Sequence, residues 1–97
     1  MGLFSRQKYE EGTLRLWTGG AHSLPYAVKW RSGHQSVLDG KDWDELYKGP
    51  IESDEAAATK EAEKTIAFYQ EEIERRRKNG WKVSGQEGRL VYFRRPT

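Results

Sequence analysis

Residues 75–97 set eight cations, Arg75, Arg76, Arg77, Lys78, Lys82, Arg89, Arg94 and Arg95, against one acid, Glu87. Trp81, Tyr92 and Phe93 are interleaved with them. Arg and Lys neutralise phosphates, and aromatic rings stack on bases, so this mixture suits contact with DNA or RNA at weak sequence preference. A second set lies nearer the start, where Arg15, Lys29 and Arg31 accompany Trp17. The site expected from these residues is a nucleic-acid-binding surface. Helix termini supply a plainer reason for part of it, because the C-terminal turn of a helix favours positive charge. That reason covers Arg75 to Lys78 and leaves the four cations beyond them unexplained.

Residues 49–74 carry the opposite charge, with eight acids and two lysines. Such a run is ordinarily a solvated helix face. It also supports a competing reading, a protein-interaction or inhibitor module of phage- or plasmid-adaptor type. That module would use the acidic face (Glu52, Glu55, Glu63, Glu71, Glu72, Glu74) and exposed rings at Trp17, Trp43 and Tyr47. An acidic pole and a basic pole on one chain also provide the means for head-to-tail self-association.

Signs of catalysis are weak. His22 and His34 are the two histidines, with Asp39, Asp42 and Asp44 nearby in sequence. No pair has the spacing of metal ligands on a helix, and no Ser sits in a nucleophile motif. Gly19-Gly20 lacks the lysine and following helix of a phosphate-cradling loop. The absence of Cys excludes disulfides and thiolate metal sites. The expectation is a non-catalytic protein without metal or cofactor. No apolar run approaches the roughly 20 residues of a membrane span. Met1 to Arg6 lacks the apolar stretch of a secretory signal, and Arg6 stands where N-myristoylation requires Ser or Thr. A cytoplasmic location away from membranes is expected.

The elements that must position these residues follow from periodicity. Ninety-seven residues suit one domain. Leu, Ile, Val and Phe number 17, but four Trp and five Tyr add apolar area and the net charge is only +2, so a small, ring-rich core is expected rather than disorder. Residues 1–11 read as a flexible N-terminus and 12–97 as the domain. Thr13 to Trp17 alternates, with Leu14 and Leu16 opposite Thr13, Arg15 and Trp17, which predicts a strand. Tyr26 to Arg31 predicts its antiparallel partner, with Tyr26, Val28 and Trp30 on the core face. Gln35–Leu38 suits a short third strand ended by Asp39-Gly40, and Leu46–Lys48 another ended by Gly49-Pro50.

Ser53 reads as the N-cap of a long helix, with Asp54 and Glu55 in its first turn and Ile51 placed to staple back. Ala58, Ala62, Ile66, Tyr69 and Ile73, widened by Phe68, form its apolar stripe. Asn79-Gly80 stops it. Such a helix is about 40 Å long at about 1.5 Å per residue, against about 17–20 Å for a typical strand, so it must cross the sheet diagonally or project beyond it. Trp81–Ser84 and Arg89–Arg95 predict a hairpin around Gly85-Gln86-Glu87-Gly88. The fold class is α+β: an antiparallel sheet of four to five short strands with one long amphipathic helix on one face, in order β-β-(β)-α-β-β. The expected core is Leu14, Leu16, Tyr26, Val28, Trp30, Val37, Leu46, Ile51, Ala58, Ala62, Ile66, Tyr69, Ile73, Val83 and Leu90.

Strands that lead through Gly49-Pro50-Ile51-Glu52-Ser53-Asp54-Glu55-Ala56 into a helix are similar in outline, over about residues 24–70, to three-stranded DNA-binding domains such as those of some phage integrase arms. The likeness implies a sheet that contacts DNA. The base-reading residues of those domains are not matched.

Overall fold

Alternation in the first strand decides the architecture, because it sends Leu14 and Leu16 to one side and Arg15 and Trp17 to the other. The computed structural model describes residues 8–18, 25–33 and 43–97. Its elements are β1 (Tyr9–Trp17), β2 (Ala27–Ser32), β3 (Asp44–Lys48), α1 (Glu55–Lys78), β4 (Lys82–Glu87) and β5 (Leu90–Pro96). The strands form one antiparallel sheet in the order β3-β2-β1-β5-β4. This is the expected α+β fold, with five strands and one helix on one face. The predicted strand Gln35–Leu38, core residue Val37 and both histidines lie outside the described residues.

β1 begins at Tyr9, so residues 9–11 are strand rather than frayed terminus. They pair with β5 from Tyr9 opposite Pro96 to Glu11 opposite Arg94. Glu10 forms an ion pair with Arg95, and Glu11 one with Arg94 at 3.6 Å. These partners lie more than 80 positions along the chain, which is why local reading leaves this segment unstructured. The hairpin at the other end closes on a two-residue turn, Gly88-Arg89, with Gly88 at φ +59°. Positive φ at the first central position matches the twist of the flanking strands.

The helix runs 24 residues, with Asp54 rather than Ser53 as N-cap; the Asp54 carboxylate accepts from the Ala56 N–H. At its other end Asn79 is the C-cap and Gly80 has φ +92°. At about 1.5 Å per residue the helix is about 36 Å long. It packs on β2 and β1 and also reaches β4, so it crosses the sheet.

The core is Leu14, Leu16, Val28, Tyr69, Val91 and Phe93, with Trp30, Leu46, Tyr47, Phe68, Ile73 and Trp81 packed against it. Val91 and Phe93 face the helix, whereas Leu90 is buried on the opposite side of the sheet. Three expected core residues are exposed: Ile51 at 62%, Ile66 at 38% and Val83 at 45%. Ile51 therefore makes no staple. Val83 sits on the edge strand, beside a register shift between Val83 and Gly85.

Ile66 is exposed because the helix is turned by about one position from its apolar stripe. Glu61, Thr65, Tyr69 and Glu72 are its buried residues. Apolar periodicity cannot find such a face, since two of the four are acids. Burial is tolerated because each polar group is met inside the fold. The Tyr47 hydroxyl donates to the Glu61 carboxylate, the Thr65 hydroxyl donates to the Glu61 carbonyl at 2.8 Å, and Glu72 accepts from Arg75 and Arg76. Glu72 thus leaves the solvated acidic face on which it was expected. Tyr47 leaves the exposed rings, with its ring 5.1 Å from Phe68.

Candidate nucleic-acid interface

The helix covers one side of the sheet; no described element packs on the other, although Thr13, Ala27, Leu90 and Tyr92 on that side are buried. Strand pairing fixes the side chains of this open face in rows running from β3 to β4. The first row is Lys48, Ala27 and Trp17. Next come Glu45, Lys29, Arg15, Leu90 and Glu87. Below these stand Arg31, Thr13, Tyr92 and Gly85, and then Glu11, Arg94 and Lys82. Tyr9 and Pro96 complete the far end. Lys48, Lys29, Arg15, Arg31, Arg94 and Lys82 thus share a face with three carboxylates, Glu45, Glu87 and Glu11.

Rings and cations meet at both ends of β1. The Arg15 guanidinium carbon lies 3.6 Å from the Trp17 ring centroid and the Lys29 ammonium 4.4 Å from it. Trp43 meets Trp17 edge to face at 6.3 Å. At the other end Arg94 lies 4.7 Å from the Tyr9 centroid. Tyr9 and Trp17 are separated by about 27 Å at about 3.4 Å per residue of strand. Burial lowers the pKa of Arg15 from the usual arginine range. It remains a cation, since guanidinium is not deprotonated in proteins.

Between these ends the face is braced by hydrogen bonds. The Thr13 hydroxyl donates to the Gly33 carbonyl at 2.8 Å, and the Tyr92 hydroxyl to Glu87 at 2.9 Å. The Tyr92 pKa is raised, first by burial and then by that bond.

Shallow hollows flank the rings. One of about 160 Å³ is lined by Trp17, Pro25, Ala27, Lys29, Glu45 and Lys48. One of about 340 Å³ lies on the β5 side of Trp17 and includes Arg15, Glu87 and Arg89. A third, of about 350 Å³, holds Tyr9, Lys82 and Arg94.

The sequence-predicted site residues therefore divide into separate groups. Arg15, Lys29, Arg31, Lys82 and Arg94 lie on the open face, and Arg89 is exposed at its rim. Arg76, Trp81 and Arg95 lie elsewhere. Trp81 meets Trp30 at 5.3 Å and Phe93 at 6.5 Å, both edge to face. Arg76 lies over Trp30 at 4.1 Å, and Arg95 over Trp81 at 4.4 Å. These two cations cap the aromatic cluster, and Glu72 and Glu10 meet their charge. The Arg76 side chain is only 14% exposed. Arg75, Arg77 and Lys78 stay at the helix end, with Arg75 paired to Glu72 and Arg77 to Glu74. Lys48, absent from the predicted set, joins the face because β3 pairs it with Ala27.

Among the described residues, no three metal-ligating side chains gather. Among the same residues, no helix is long and apolar enough to cross a membrane. No family model, curated protein or solved structure matches the chain.

Proposed function

We propose that this protein is a cytoplasmic, non-catalytic accessory protein that binds nucleic acid across the open sheet face, with weak sequence preference. One observation carries the reading: six cations are gathered with Trp17 and Tyr9 on a face that no described element covers. Phosphate neutralisation by such a face supplies sequence-independent affinity. Weak preference is supported by how the arginines are held. Arg15 and Arg94 lie against Trp17 and Tyr9, so neither stands out as a free fork for a guanine edge.

The helix end takes a secondary part in this reading. Arg76 and Arg95 hold the aromatic cluster together, and Arg75 and Arg77 have acidic neighbours, as Arg94 on the sheet face has in Glu11.

Fluorescence anisotropy with labelled single- and double-stranded DNA and RNA tests the proposal. Saturable binding that weakens steeply between low and near-physiological salt is the expected result. Absence of binding to every probe at low salt would overturn it and move the search to protein partners, whose aromatic-centred interfaces depend less on salt.

A further inference from the structure

We propose that β4 is a self-pairing edge: it joins two copies of this chain by antiparallel β4–β4 contact about a two-fold axis normal to the sheet. The inference goes beyond nucleic-acid binding and does not depend on it.

β4 stands last in the sheet order, so no described strand pairs with its outer edge. Five of its six residues are exposed, Val83 at 45% among them. The charges along this edge select the partner. Lys82 lies directly opposite Arg94, a like charge, and Arg94 is paired with Glu11. No described carboxylate meets Lys82. At the other end of the strand Glu87 accepts from the Tyr92 hydroxyl at 2.9 Å and meets no described cation. Two charges of opposite sign therefore stand unmatched on one exposed strand.

In a regular strand Lys82 and Glu87 would point to opposite faces, since side chains alternate. The register shift between Val83 and Gly85 adds Ser84 as an extra residue and brings both charges to the face that carries Arg94 and Leu90. A two-fold axis between Ser84 and Gly85 then sets Lys82 opposite Glu87 of the second copy, and Val83 opposite Gln86. The symmetry makes each contact twice. An unrelated strand on this edge would leave Lys82 beside Arg94 without an acid. The bulge and the charges, which discourage indiscriminate edge pairing, thus admit this register.

β3, the other edge, is the poorer candidate. It is one residue shorter, and Gly49-Pro50 follow it at once; proline cannot donate to a ladder. With the axis normal to the sheet, the two helices stay on one side and the two cation-bearing faces share the other. An edge contact of this length is smaller than the roughly 1,200 Å² of a standard stable interface, so monomer and dimer exchange with concentration.

Sedimentation equilibrium of the full chain without nucleic acid, from micromolar to millimolar protein, tests the proposal. The unmodified protein should dimerise over this range. Lys82→Glu and Glu87→Lys each set two like-charged pairs across the axis and should weaken the dimer about tenfold. An equimolar mixture of these two variants should recover the unmodified affinity, because every pair in the heterodimer is again of opposite sign. Glu87→Gln keeps an acceptor for Tyr92 and should weaken the dimer by a smaller factor. Circular dichroism confirms that each variant is folded. A protein that stays monomeric at millimolar concentration would overturn the proposal. So would a dimer that neither charge reversal weakens, or a mixture that shows no recovery.

Discussion

The guanidinium of Arg15 rests 3.6 Å from the centre of the Trp17 ring, two positions along the same strand and on the same face. Lys29, paired across the sheet with Arg15, approaches that ring at 4.4 Å. The negative face of an indole attracts cations, and that attraction offsets the repulsion between the two. The contact fixes both a charge and a ring of this sheet face.

Replacing Arg15 with Gln should lower stability by about 1 kcal/mol, the size of one partly exposed cation–π contact. Urea denaturation measures it. The same variant should weaken nucleic-acid binding several-fold, because Trp17 is deprived of both a neighbouring charge and its fixed orientation. Unchanged affinity would mean that Arg15 serves the fold alone.

Glu72 presents a different balance. Its side chain is 6% exposed and takes Arg76 at one oxygen and Arg75 at the other. Glu72→Ala leaves Arg76 over Trp30 without its carboxylate, and breaking a buried pair from one side costs about 3 kcal/mol or more. Arg76→Ala should cost a similar amount, and the double variant less than the sum of the two. Additive effects on denaturant midpoints would show that the two side chains act separately.

Gly12 is required by Trp30. A Cβ at Gly12 would overlap the six-membered ring of the Trp30 indole. The indole is wedged at 5.3 Å from Trp81 and 5.9 Å from Phe93, so it has little room to retreat. Gly12→Ala should destabilise by about 2 kcal/mol, as overpacking of a filled core does. The near-ultraviolet circular dichroism of the tryptophans should change with it. A variant of unaltered melting temperature would show that the cluster yields easily.

Alkaline titration probes the helix–sheet interface. Burial pushes the Tyr69 hydroxyl up to about 12, well above the ordinary value of 10, and Tyr47 is raised by its bond to Glu61 and by burial. Folding thus favours the neutral phenol. The associated stability is complete below about pH 10 and is lost as pH rises from there through about 12. Tyrosinate absorbance should show a late-ionising group whose titration coincides with alkaline unfolding. Its full ionisation near pH 10 in folded protein would contradict the buried placement.

The strands and the long helix were legible because their signals are local: alternation at Leu14 and Leu16, and the stop at Asn79-Gly80. The faces of β1 and β2 followed from the same alternation, which brought Arg15, Lys29 and Trp17 together correctly. What escaped was set by distant pairing. Tyr9 to Glu11 are strand because β5 returns alongside them with Arg94 and Arg95. Glu61 and Glu72 are buried because Tyr47 and Arg76 receive them, so apolar periodicity chose Ile66 instead. Proximity in sequence made Arg75 to Lys78, Trp81 and Arg95 look like one basic surface. The sheet separates that run, sending Lys82 and Arg94 to the open face and Trp81 and Arg95 to the helix side.

The most direct test removes equal charge from the two candidate surfaces. One variant carries Lys29→Gln, Lys48→Gln and Lys82→Gln on the open face, and the other carries Arg75→Gln, Arg77→Gln and Lys78→Gln at the helix end. Anisotropy with a labelled single strand is measured for both across a salt series. The open-face variant should bind far more weakly, with the slope of log affinity against log salt reduced by about 0.7 for each phosphate that is no longer neutralised. The helix-end variant should stay close to the unmodified protein. Abolished binding in the helix-end variant, with the open-face variant unaffected, would contradict the assignment of the sheet as the binding surface.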